Sequence, residues 1–183
     1  VRTDLIKTSN NRDIIDSSVL AMARSAGEES ADAVIATATP LLAHPELSVQ
    51  TAATLSLGVL GSPKAIPQLS DLMTDSCKGR QLAGGLGQVE WLVRSFAALS
   101  LGLINDPGSV PALTQLVSET SDTDKDLKVC AIVSLGLMQN KESPQACEFL
   151  LKLLEDRKLD AIIKSYVPTS LAKLCSRMDS PDP

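Results

Sequence analysis

The sequence predicts an all-α superhelical array of stacked helix pairs, about four pairs and a half-unit. Three observations predict it. The chain repeats itself: QTAATLSLGVLGSPKAIPQLSDLM from Gln50 returns as RSFAALSLGLINDPGSVPALTQLV from Arg94, 44 residues on. Hydrophobic residues make up 44% but aromatics only 2%. The interior is therefore built from Leu, Ile, Val and Ala, which suits closely packed helices. Finally, a Ser-Pro or Asp-Pro pair recurs at the middle of each unit, where a second helix is expected to start.

The elements follow in order. Asp13 to Ala26 and Glu28 to Ala43 read as a degenerate first pair. The next two units carry the quoted phrases. A further copy begins at Leu127, offset by 34 from its predecessor, and by 37 after three extra residues, Asn140 to Glu142. The underlying period is in the mid-thirties, within the range of helical solenoids. The 44-residue step then hides an insertion of about ten residues in TDSCKGRQLAGGLGQ, residues 74–88. Leu159 to Arg177 reads as one more first helix, kinked or divided at Pro168. The units are 13–45, 46–75, 88–120, 122–156 and a partial 158–181, in one repeat domain spanning 1–183. Residues 1–12 are polar, and are expected to be disordered or a remnant of an earlier helix.

In each first helix, apolar residues recur at three- and four-residue steps on most sides, so more than one face is covered. Gly58, Gly102 and Gly136 each fall inside such a helix. A helical glycine costs about 1 kcal/mol against alanine. Three of them imply close helix approach, where a Cβ does not fit. Each second helix opens on Ser62-Pro63, Asp106-Pro107 or Ser143-Pro144. The side-chain oxygen is expected to accept an orphan backbone N–H, with proline tolerated at the first helical position. Ser180-Pro181 is a fourth instance. Pro67 and Pro111, four residues after Pro63 and Pro107, are expected to separate a short opening turn from the helix proper.

Net charge is −5 and the pI is about 4.9. This disfavours nucleic acid, which needs basic surface, and anionic membranes. It favours a partner with a basic patch. Cys77, Cys130, Cys147 and Cys175 have no C-x-x-C spacing and read as reduced, buried thiols. His44 is the only histidine, so no metal site is expected. No apolar run approaches the roughly 20 residues that span a bilayer. No signal peptide is recognised, and a cytoplasmic location is favoured for this segment. Val1 and the Ser180 to Pro183 stretch read as cuts through a longer chain.

The phrase V-R-x-x-A-A-x-x-L-G-x-I-x-D-P-x-x-V-P-x-L-x-x-L, from Val93 to Leu116, resembles a HEAT repeat. It is closest to the short subtype also found in bilin lyases. The resemblance covers 46–155 well and both flanks weakly. It implies a right-handed α-α superhelix and an interaction or scaffolding role. It also implies a ladder from a basic residue of the first helix to a turn aspartate. Those positions hold Gln50, Arg94 and Lys128, and Ser62, Asp106 and Ser143 or Asn140. Only Arg94 and Asp106 form the full pair, so the ladder is expected to be weakened. Tetratricopeptide repeats need aromatics, and ankyrin repeats need T-P-L-H; neither fits.

Chemistry is sparse. The His-Glu pairs of deoxyhypusine hydroxylases are absent. The basic concave face of HEAT-like DNA glycosylases is opposed by composition. The glycine-rich stretch Gly79 to Gly87 lacks the Gly-Lys-Ser/Thr of a phosphate loop. No catalytic, cofactor-binding or metal-binding residue is assigned, and the expected function is noncatalytic protein binding. The alternatives are a bilin lyase-like subunit or a structural segment of a longer solenoid. Gly79 to Gly87 is expected to be a flexible loop whose contacts are Arg80, Gln81 and Trp91; Trp91 can equally pack against that loop. Asp71, Gln115 and Lys152, with Gln68, Ala112 and Phe149 beside them, form the second-helix row of a concave surface. The acidic stretch Glu119 to Asp126 is expected to solvate a turn and help start the next helix, or to meet a basic partner.

Overall fold

The computed structural model describes residues 11–85, 87–121, 123–138 and 144–178, with side chains described as far as Cys175. Among these are ten α-helices and no strand. The helices are α1 (Arg12–Ser25), α2 (Ala31–Ala38), α3 (Leu47–Val59), α4 (Ile66–Met73), α5 (Cys77–Leu82), α6 (Trp91–Ile104), α7 (Val110–Glu119), α8 (Lys125–Leu137), α9 (Pro144–Glu155) and α10 (Ala161–Met178).

The first helices α1, α3, α6, α8 and α10 pack one on the next in series. The second helices α2, α4, α7 and α9 each pack on the first helix of the following unit, and α7 also meets α9. The result is an all-α solenoid with one continuous apolar seam from Ile15 to Leu174. The leucine of each S-L-G phrase, Leu57, Leu101 and Leu135, is fully buried. Each such side chain contributes about 1.5–3 kcal/mol by leaving water.

The rest of that phrase sets the spacing between helices. A Cβ on Gly58 would lie 2.5 Å from Ser100 Cα, one on Gly102 2.7 Å from Ser134 Cα, and one on Gly136 2.6 Å from Ser170 Cα. These distances leave no room for a methyl group. The glycine of one helix thus receives the serine of the next. The serine hydroxyls are buried and need partners. Ser100 Oγ donates to Thr54 O (3.0 Å) and Ser134 Oγ to Ala98 O (2.8 Å), each a carbonyl one helical turn before the facing glycine. Helix α1 has no glycine. Accordingly Ser56, at the same place in α3, bonds within its own helix to Ala53 O.

The second helices begin as the prolines require. A 3₁₀ turn, Pro63–Ala65 or Pro107–Ser109, precedes α4 or α7, and Pro67 and Pro111 sit in the first α turn. The expected caps are not made: neither Ser62 nor Asp106 accepts a hydrogen bond through its side chain. Their backbone carbonyls accept instead, from Ala65 N (3.1 Å) and Ser109 N (3.0 Å). A three-residue 3₁₀ turn closes its first donor onto the backbone, and proline removes another, so little is left for a side chain to cap. Ser143, Ser180-Pro181, Asn140 to Glu142 and residues 1–10 lie outside the described residues.

Two further points follow. Of the two expectations at Pro168, a kink or a division, the division is not made: helix α10 is continuous through it. That proline is exposed, so the helical carbonyl it leaves without a partner can turn to water. The cysteines are not a buried set: Cys77 and Cys175 are exposed, and Cys130 and Cys147 are partly buried. Cys77 falls in the insertion rather than the stack, and Cys175, in α10, is exposed beside Cys147 of α9.

Candidate interaction surface

The insertion is ordered by a few specific contacts. Ser76 caps α5, accepting from Gly79 N (3.0 Å) and donating to Asp71 Oδ1 (2.6 Å). Gly79 is buried against α4, where a Cβ would come 2.0 Å from Asp71 O. Asp75 stands at φ +54. Its carboxylate accepts from Arg80 Nε (3.0 Å), Arg80 Nη2 (2.6 Å) and Val89 N (2.8 Å). One side chain therefore ties together both ends of the insertion. The Arg80 hydrogen bonds hold the Asp75 carboxyl below its ordinary value, against the opposing effect of burial. The flexible loop expected from the glycines is thus in good part a helix docked on α4. A six-residue helix with Gly79 inside it does not hold alone, and tertiary contacts supply what its length does not.

This arrangement locates the residues singled out from sequence. Arg80 is committed to Asp75, while Gln81 is exposed. Asp71 is half-buried, accepting from Ser76 beneath the insertion. Gln68 accepts from Thr39 Oγ1 at 3.2 Å. Gln115 is exposed and donates to Glu119. Half-buried Phe149 and exposed Lys152 line a shallow groove of about 260 Å³ between α7 and α9, together with Thr114, Gln145 and Glu148. The second-helix row is therefore split: covered at α4 and open at α7 and α9.

Arg94 donates from Nε to Met73 O (3.0 Å), at the C-terminal end of α4. Gln50, its counterpart, donates to His44 O (2.7 Å), just past the preceding second element. This position closes a helix end, where unpaired carbonyls and the helix dipole favour a donor or cation. Among the described residues Arg94 makes no ion pair with Asp106.

A wide concavity lies beside the insertion. Gly87 to Trp91, Arg94 and Thr123 to Leu127 enclose an open groove of about 910 Å³. Trp91, at the start of α6, is 51% exposed. A second depression of about 420 Å³ shares Arg94, Asp124 and Leu127 and extends along α7 to Thr120 and Ser121. Sequence reading flagged Trp91 and the acidic stretch separately and did not bring them together. The 34-residue offset carried the signal, since it maps Trp91 onto Lys125, one unit along the stack.

A family model of HEAT repeats matches residues 81–172, and one of the PBS lyase HEAT-like repeat matches residues 49–75. The chain belongs to the HEAT-repeat family. No match was found among curated proteins. A HEAT-repeat array is an interaction or scaffold architecture. Among the described residues of this one, no group of three His, Cys, Asp or Glu side chains could hold a metal ion. No described helix is long and apolar enough to cross a membrane.

Proposed function

We propose that this HEAT-repeat segment binds another protein without catalysing a reaction on it, using its stacked helices as a rigid frame. The observation that carries the reading is the groove at Trp91. A half-exposed indole standing in an open groove, between walls held by the helix stack and by the Asp75 clamp, is the surface a partner would use. Arg80 supports this surface through Asp75, which accepts from Val89 N in its wall. The open row Gln115, Phe149 and Lys152 offers a second contact area. The test is capture of a partner by the intact array, by Trp91→Ala and by Phe149→Ala/Lys152→Ala. A partner held by the intact protein and weakened about tenfold by one of these variants is expected. Equal capture by all three, or no saturable capture, overturns the reading.

The match of residues 49–75 to a PBS lyase HEAT-like repeat favours a second reading, a subunit acting on a bilin. Added bilin then gives a new visible absorption band; an unchanged spectrum removes this reading.

A further inference from the structure

The Trp91 groove has an uncompensated charge. Glu90, Asp124 and Asp126 line it and are exposed. Among the described residues, none of the three uses its carboxylate in a hydrogen bond or ion pair. Asp124 is the N-cap residue of α8, yet makes no side-chain cap bond. The two cations in the same walls are engaged: Arg94 Nε with Met73 O, and Lys125 Nζ with Asp160 Oδ2 at 2.7 Å, outside the groove. The Asp160 charge offsets that of Lys125, so the three carboxylates outweigh what remains of the basic charge. The exposed indole stands among them.

We infer that this groove receives an extended, arginine-bearing segment of a partner protein, with one arginine side chain lying on Trp91 and its guanidinium among Glu90, Asp124 and Asp126. The inference deepens the protein-binding reading and rests on it. Three physical requirements choose this occupant. An acidic segment is repelled by the walls. A purely apolar one takes water from three carboxylates and returns no hydrogen bond. An arginine places its apolar stem and planar head on the indole face, and its donors fit carboxylates two at a time. Lysine supplies the charge but is more strongly hydrated and cannot stack as a plane. The groove is about the volume of known ligand sites, and its walls are pre-formed, which lowers the cost of ordering on binding.

Trp91 is the only tryptophan in the chain, so its fluorescence reports this groove alone. The probes are capped arginine–glycine–arginine, lysine–glycine–lysine and glutamate–glycine–glutamate peptides. A saturable emission change is expected with the arginine peptide, about threefold weaker binding with the lysine peptide and none with the glutamate peptide. The triple variant Glu90→Gln/Asp124→Asn/Asp126→Asn keeps Trp91. It should bind the arginine peptide about tenfold more weakly at low salt, with an unchanged melting temperature. Calorimetry on Trp91→Ala supplies a readout independent of the indole and should show a comparable loss. No saturable change with the arginine peptide, or equal binding by the triple variant, overturns the inference. If the peptides fail while Phe149→Ala/Lys152→Ala still abolishes partner capture, only the arginine site falls and the protein-binding reading stands.

Discussion

The step from α3 to α6 and the step from α6 to α8 join equivalent helices, but only the first spans the insertion. Their corresponding glycines are 44 and 34 residues apart, and yet the contacts nearly coincide. A Cβ on Gly58 would sit 2.5 Å from Ser100 Cα, and one on Gly102 2.7 Å from Ser134 Cα. The added residues leave the stack unaltered. They are accommodated after the second helix, where α5 docks on α4 and Asp75 draws the chain back to Val89. Repeat length and stack spacing are therefore separate quantities. Close packing fixes the spacing, and the connector absorbs the variation in length.

The largest test of that separation is to overfill both steps. Gly102→Ala and Gly58→Ala each force a methyl group into facing backbone and should lower stability by about 1–3 kcal/mol in denaturant unfolding. Similar losses are expected at the two positions. A much smaller loss at Gly58 would mean that the insertion loosens its step. Gly79→Ala should cost about 1–2 kcal/mol locally. The six-residue α5 can swing away as the stack cannot, so hydrogen exchange should rise in the insertion and stay unchanged in α6 and α8.

Acid should release the connector's clamp. Arg80 holds the Asp75 carboxyl below its ordinary value of 3.8, so the stability it contributes is fully present above that value. It is lost as pH falls through the lowered, folded-state value. Trp91 emission should therefore change with a midpoint below 3.8, and Asp75→Asn should abolish this transition. A midpoint unchanged in Asp75→Asn would remove the clamp from the account.

The smallest perturbation is chemical labelling. Burial pushes the Cys130 thiol, in α8, up to about 11, whereas Cys77 lies exposed on the insertion. At pH 8, iodoacetamide should label Cys77 at least about tenfold faster than Cys130. Equal rates would show that the stack opens as readily as its connector.

The stacked units were largely legible because their cause is periodic: the same apolar steps return, and S-L-G recurs at 56–58, 100–102 and 134–136. The glycines announced close approach, but their serine partners did not, because which helix a serine faces depends on the direction of stacking. Ser62 and Asp106 looked like caps, and a 3₁₀ start left them without that task. The helix at Cys77–Leu82 was hidden because Asp71, Ser76 and the fit of Gly79 hold it, rather than its own propensity. At the candidate site, Trp91 and Arg80 stood out as residue types. The sequence could not tell that Asp75 occupies Arg80 and leaves Trp91 open beside the next unit's acidic end.

The serine–glycine contact has a direction: every serine looks backward along the array and every glycine looks forward. A segment copied from one L-S-L-G to the next carries one half of each joint at its two ends. Duplicating it in frame would create a new joint already matched on both sides, whereas reversing the order of helices would set serine against serine. Such an array can lengthen head to tail by copying alone, with no new complementary surface to be invented.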